Sequence, residues 1–110
     1  MIKQKKPRIL EKDIQYYFLS LAEMYGFYFF RTNNVKISGG KFLKMKDKDK
    51  GHPDAIILKN SNTFYVEFKS TTGKLSEFQK IKRKEIESRG GKYIVIASIL
   101  NCTEFFAINK

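Results

Sequence analysis

Apolar positions in the first part of the chain recur at a helical spacing: Leu10, Ile14, Tyr17, Phe18, Leu21, Ala22 and Tyr25. Steps of three and four residues put them on one face of an α-helix, and Gly26 supplies the C-terminal stop. The pattern then tightens. Phe27-Tyr28-Phe29-Phe30-Arg31-Thr32 is short and mostly aromatic, which predicts a strand. Ala55-Ile56-Ile57-Leu58 and Phe64-Tyr65-Val66-Glu67-Phe68-Lys69 predict two more, separated by the turn-forming Asn60-Ser61-Asn62. Thr71-Thr72-Gly73 breaks the second of these. A helix is predicted over 76–89 with Phe78, Ile81 and Ile86 inward, ended by Gly90-Gly91. Tyr93-Ile94-Val95-Ile96-Ala97 reads as a buried strand, and Glu104-Phe105-Phe106-Ala107-Ile108 as a short final strand.

The order is α-β-(loop)-β-β-α-β. A hairpin followed by a helix crossing over to a further strand predicts an α/β domain with a mixed sheet flanked by helices, one domain over 1–110. Residues 1–8 are basic and loosely held on this reading. From Val35 to Gly51 the chain carries Gly39-Gly40 and Lys36, Lys41, Lys44, Lys46, Lys48 and Lys50, a loop or long hairpin. Two readings of that stretch stay open, a solvated insertion or an arm on a nucleic-acid backbone.

Charge changes the picture most. Lys and Arg number 22 against 11 Asp and Glu, a formal net charge of +11 on 110 residues. Such a surface repels itself and gains by meeting a polyanion that releases counterions, so nucleic acid is the first partner to consider. No dominant basic amphipathic helix points to a membrane. No run is long enough to span a bilayer, and the basic N-terminus lacks the apolar core of a secretion signal, so cytoplasmic residence is expected, in a bacterium or a phage-infected host. The single cysteine, Cys102, fits a reducing compartment and reads as a small packing residue.

The candidate chemistry lies in the hairpin between 53 and 69. If Asn60-Ser61 is the two-residue loop, Lys59 pairs with Asn62, and stepping back places Asp54 across from Glu67. If the loop is Ser61-Asn62, Asp54 lies opposite Lys69, still on the same face. A three-residue loop would set Asp54 against Phe68 and mix polar with apolar faces. Either two-residue register gathers Asp54, Glu67 and Lys69. Facing carboxylates destabilise a sheet unless a cation lies between them, and hard oxygen ligands suit Mg2+ or Mn2+. Singly, Pro-Asp is a common turn pair and Glu-x-Lys a common exposed strand face. Their combination on one hairpin of a basic chain is the informative signal.

Gly51-His52-Pro53-Asp54, Tyr65-Val66-Glu67-Phe68-Lys69 and Gly73-Lys74-Leu75-Ser76-Glu77-Phe78-Gln79 together resemble the VRR-NUC (virus-type replication-repair nuclease) domain, a branch of the PD-(D/E)xK, restriction-endonuclease-like superfamily. Leu10-Glu11-Lys12-Asp13-Ile14-Gln15, Arg31-Thr32-Asn33 and the stretch from Gly90-Gly91 to Ala97 extend the likeness over nearly the whole chain, the basic loop and the last dozen residues excepted. The resemblance implies a restriction-endonuclease-like α-β-β-β-α-β core. It implies that Asp54 and Glu67, with the Phe68 carbonyl, bind Mg2+ or Mn2+, and that Lys69 is the catalytic lysine. Glu11 from the first helix and Gln79 from the second would join the site. Homodimeric enzymes acting on branched DNA such as four-way junctions are the implied relatives, with no organic cofactor.

Two of these residues have plainer roles as well. Ser76-Glu77-Phe78-Gln79 is a capping box, in which Gln79 satisfies a backbone N–H at the helix start. Glu11 near a helix N-terminus is favoured by the helix dipole. The lone His52 reads as a loop or phosphate contact, not a base. Arg31, Lys41, Lys44, Lys46 and Lys74 are candidate nucleic-acid contacts. The rival readings are a non-catalytic basic nucleic-acid-binding module whose aromatics stack bases, and a basic structural or assembly protein. Neither explains acidic side chains set against a polyanion.

Overall fold

A computed structural model describes residues 9–32 and 51–110. The candidate contacts Lys41, Lys44 and Lys46, and the loop that carries them, lie outside the described residues. Helix α1 (Glu11–Met24) opens with Glu11 and Asp13 in its first turn, where acids complement the helix dipole. Gly26, at φ +82°, lets the chain turn out of the helix into strand β1 (Tyr28–Arg31). Strands β2 (Ala55–Lys59) and β3 (Asn62–Phe68) form a hairpin, and helix α2 (Glu77–Ser88) crosses over to strand β4 (Lys92–Ile96).

The strands form one sheet in the order β1-β2-β3-β4. The first two pairings are antiparallel and β3 with β4 is parallel, the mixed sheet that a helical crossover after a hairpin requires. The hairpin turn is Asn60-Ser61, both at positive φ (51° and 67°), and Lys59 pairs with Asn62. Positive φ at both central residues is the mirror-image turn whose twist matches the strands.

The core lies on one face of this sheet. Ala55, Ile57, Phe64, Val66, Phe68 and Ile96 point into it and meet Ile14, Phe18, Leu19 and Ala22 of α1. Phe18 stands edge-on to Phe68, with ring centroids 5.5 Å apart, and is 4.8 Å from Phe106. Tyr17, Leu21 and Tyr25 flank the core half-buried, whereas Leu10, just before the helix, is exposed.

Two sequence expectations are corrected. The stretch expected as a final strand at 104–108 belongs to helix α3 (Ile99–Ile108). Ser98 caps it by accepting from the Asn101 N–H, and Cys102, Phe105 and Phe106 bury one side of it against α1 and the sheet. That i, i+3, i+4 stripe is helical; two adjacent phenylalanines taken without Cys102 imitate a strand. Cys102 is wholly buried, and burial pushes its thiol up to about 11, consistent with a packing role. The second correction is the orientation of α2. Phe78 and Ile81 are exposed, not inward, and of the expected three only Ile86 is half-buried. The half-buried positions of α2 are Gln79, Lys82, Arg83 and Ile86, a helical stripe rotated by one residue from the apolar one. It faces polar and aromatic groups on the sheet, so hydrophobicity alone misplaces it.

Candidate active site

The pairing of Ala55 with Val66 leaves Asp54 and Glu67 as the next facing positions, just beyond the last rung of the hairpin. The Asn60-Ser61 turn thus selects the register that opposes the two acids and excludes the one opposing Asp54 to Lys69. Alternation then carries Asp54, Glu67 and Lys69 to the sheet face away from the main core.

Both carboxylates are buried, Asp54 with 9% and Glu67 with 2% of its surface exposed. Asp54 Oδ2 accepts the backbone N–H of Phe68 at 2.8 Å, which fixes it against β3. Glu67 Oε1 accepts from Gln79 Nε2 at 2.6 Å and lies 3.8 Å from Lys69 Nζ. Glu67 Oε2 is buried and receives no hydrogen bond from any described residue. Burial pushes the Glu67 carboxyl from 4.5 up to about 8. The Asp54 charge and a hydrogen bond with Asp54 push the same way; Lys69 pulls it back, and Glu11 adds a smaller upward push.

Gln79 completes the capping box and also reaches Glu67. Its Oε1 accepts the Ser76 N–H and its own N–H donates to Ser76 Oγ, completing the capping box, while its Nε2 reaches Glu67. One side chain therefore ties the start of α2 to the site. A second tie is Gly51, at φ +81°. A Cβ there would stand 2.4 Å from the Phe78 carbonyl carbon and 2.7 Å from the Gln79 nitrogen. Only glycine lets the segment before Pro53-Asp54 lie so close to the first turn of α2.

The other expected residues distribute unevenly. Glu11 begins α1 exposed at its surface, near enough for its charge to act on Glu67. Arg31 pairs with Ala55 and so belongs to the α1 face, opposite Lys69. With the Gln15 amide oxygen turned toward it, Gln15 accepts from Arg31 Nε and Nη2, both at 2.7 Å. Arg31 is thus not brought to the carboxylates. Lys74 is exposed on the loop after β3, and His52 is exposed beside Pro53.

Sequence reasoning did not single out Tyr93 or Arg83. The Tyr93 hydroxyl is buried with no hydrogen-bond partner among the described residues, and burial, with the Glu67 charge, holds it well above the usual phenol range. Arg83 lies over its ring, 5.4 Å from the centroid. The only signal available beforehand was the parity of β4, which sets Tyr93 beside Tyr65 on the site's face.

Among the described residues there is no group of three or more His, Cys, Asp or Glu side chains that could hold a metal by themselves. A closed zinc-type site is built on such a group. Two buried carboxylates, one with an unsatisfied oxygen, fit instead a cation that keeps several waters, as Mg2+ does. No helix among the described residues is long and apolar enough to cross a membrane.

No protein-family model matches the sequence, and no curated protein matches it. A solved structure described as a VRR_NUC domain does match the fold, with a TM-score of 0.68 and 19% sequence identity. The match covers 88% of this chain and 94% of that one. The expected fold class, an α/β arrangement of the VRR_NUC kind with a mixed sheet between helices, is therefore present, with α3 added at its end.

Proposed function

We propose that this chain is a Mg2+- or Mn2+-dependent endonuclease that hydrolyses DNA phosphodiester bonds. The observation that carries the reading is the buried Asp54–Glu67 pair with Lys69 beside it, on a chain of net charge +11. Two acids facing each other cost stability and repel phosphate unless a cation joins them. A module that only bound nucleic acid would gain nothing from burying them.

Asp54, Glu67 and the Phe68 carbonyl are the groups that would hold the ion. A bound divalent ion supplies Lewis-acid polarisation of the phosphate and a water acidic enough to attack at neutral pH. The Phe68 N–H orients Asp54, and Gln79 orients Glu67, so neither carboxylate must reorganise when substrate arrives. Lys69 presents its ammonium from the same face to the attacking water and to the charge that develops on the phosphate oxygens. Glu11 adds a further acid from α1. Arg31, Lys74 and the lysines Lys41, Lys44 and Lys46 serve the DNA backbone. Branched DNA, four-way junctions among it, is the substrate class the family resemblance suggests, and symmetric cutting of such a junction calls for a two-fold homodimer.

The test compares wild type with Lys69→Ala on plasmid, linear duplex and four-way-junction DNA in EDTA, Mg2+ or Mn2+. Metal-dependent cleavage by wild type is expected, slowed about 100-fold or more in Lys69→Ala, with binding retained. Wild type that binds all three substrates and cuts none with either metal would overturn the reading.

A further inference from the structure

Side chains two residues apart on a strand share a face, so Ile56 and Leu58 lie on the face that Asp54 occupies. Phe30 pairs with Ile56 and Tyr28 with Leu58, which puts both aromatic rings of β1 on that face as well. Helices α1 and α3 pack together on the opposite side, and α2 rests on β4. Tyr28 is accordingly 64% exposed and Phe30 44%, their ring centroids 6.3 Å apart and tilted by 56°. Neither ring contributes to the buried core. By sheet spacings the Cα atoms of Phe30 and Tyr28 lie about 8 and about 14 Å from that of Asp54. Beside Phe30's partner Ile56 lies a groove of about 440 Å3, lined also by His52, Pro53 and Tyr65 and, from α2 and its end, by Lys82, Glu85 and Arg89.

We infer that this face, running from the carboxylates across β2 to β1, is a stacking platform for unpaired nucleotides flanking the scissile phosphate. The inference rests on the nuclease reading above and narrows its substrate to DNA with a single-stranded segment beside the cut. Every base has a π-face, and exposed tyrosine and phenylalanine rings stack on it without regard to sequence. In a blunt duplex those faces are already stacked on one another, so the platform discriminates by structure. Charge selects this occupant over a second copy of the chain. On this face a nucleic-acid strand gains from the net charge of +11, which a second copy of the chain does not.

The experiment measures anisotropy of a labelled single strand, a splayed-arm duplex and a blunt duplex in EDTA, so that binding is read without cleavage. Tyr28→Ala and Phe30→Ala are each expected to weaken single-strand and splayed-arm binding about five-fold or more, and blunt-duplex binding less than about two-fold. Tyr28→Phe should bind like wild type, and circular dichroism of each variant checks the fold. Equal losses on all three DNAs, or no loss, overturn the platform. So does sedimentation showing a wild-type dimer that Phe30→Ala splits, because the face would then belong to a second copy. Splayed-arm cleavage in Mg2+ separates the two readings. If wild type cuts and the alanine variants bind and cut like it, the platform fails and the nuclease stands. If wild type never cuts but the variants lose single-strand binding, the nuclease fails and the platform stands.

Discussion

Substituting Glu67 by Gln keeps the shape of the side chain and removes its charge, and the consequences can be worked from the surroundings of the carboxyl. In the metal-free protein Glu67 titrates at about 8, against 4.5 for an exposed glutamate. Between those values the folded domain holds a proton that the unfolded chain has released. A group whose folded pKa is raised stabilises the fold when protonated. That contribution is fully present below pH 4.5 and is lost as pH rises toward 8. One proton of difference corresponds to about 1.4 kcal/mol per pH unit. From pH 5.5 to 7.5 the wild-type domain in EDTA should therefore lose between about 2 and 3 kcal/mol through this residue alone. Glu67→Gln should show no such loss, and in EDTA at pH 7.5 it should be the more stable protein.

Urea unfolding in EDTA at pH 5.5, 6.5 and 7.5, followed by circular dichroism, gives both curves. Their difference cancels titrations common to the two proteins. Adding millimolar Mg2+ or Mn2+ should restore wild type at pH 7.5 and do much less for Glu67→Gln, since a ligand stabilises only the state that binds it. Parallel pH curves for the two proteins would refute the argument that burial against Asp54 holds the proton. Equal stabilisation of both by metal would remove Glu67 from the ligand set.

Two further predictions concern the backbone that carries the site. Ser61 sits at φ 67°, a conformation glycine adopts without strain, so Ser61→Gly should stabilise the hairpin by about 0.5–1 kcal/mol in urea unfolding; a loss of stability would mean the serine side chain holds the turn. Gly51→Ala would drive a Cβ into the first turn of α2 and strain a positive φ, costing about 2 kcal/mol or more. DNA cleavage at a temperature where the variant is still fully folded should also fall, because Gln79 is displaced from Glu67; unchanged cleavage there would refute the positioning argument.

How much of this was legible in the sequence depends on which force shapes each element. The hairpin was legible because two constraints agree: a two-residue turn at Asn60-Ser61, and alternation that buries Ile57, Phe64 and Val66 while sending Asp54, Glu67 and Lys69 to the other face. Sequence could not choose between the two even registers, because both leave the acids on one side; the positive φ pair at Asn60 and Ser61 makes that choice. Helix α1 was legible for the same reason, a strong apolar stripe against a deep core. Helix α3 was misread because Phe105-Phe106 fits either period until Cys102 is counted with it. The place of Arg31 relative to the carboxylates was not legible, because it depends on the pairing with Ala55 that sets it on the α1 face beside Gln15.

The orientation of α2 carries the larger lesson, since the same residues explain both the misreading and the site. A helix that covers a polar sheet face cannot present its most apolar stripe there, because the groups beneath it are carboxylates and a buried phenol. It presents Gln79 to Glu67, Arg83 to the ring of Tyr93, and Ile86 to the groove. Phe78 and Ile81 are thereby left facing outward. An amphipathic helix whose polar side is the inward one loses hydrophobic stabilisation, and here that loss is offset by tethers: the capping box, the Gln79–Glu67 hydrogen bond and the close approach of Gly51. All three converge on the first turn of α2, the turn that delivers Gln79. The stability of the helix and the geometry of the carboxylates thus depend on the same few contacts, which is why a substitution at Gly51 is expected to be felt at Glu67.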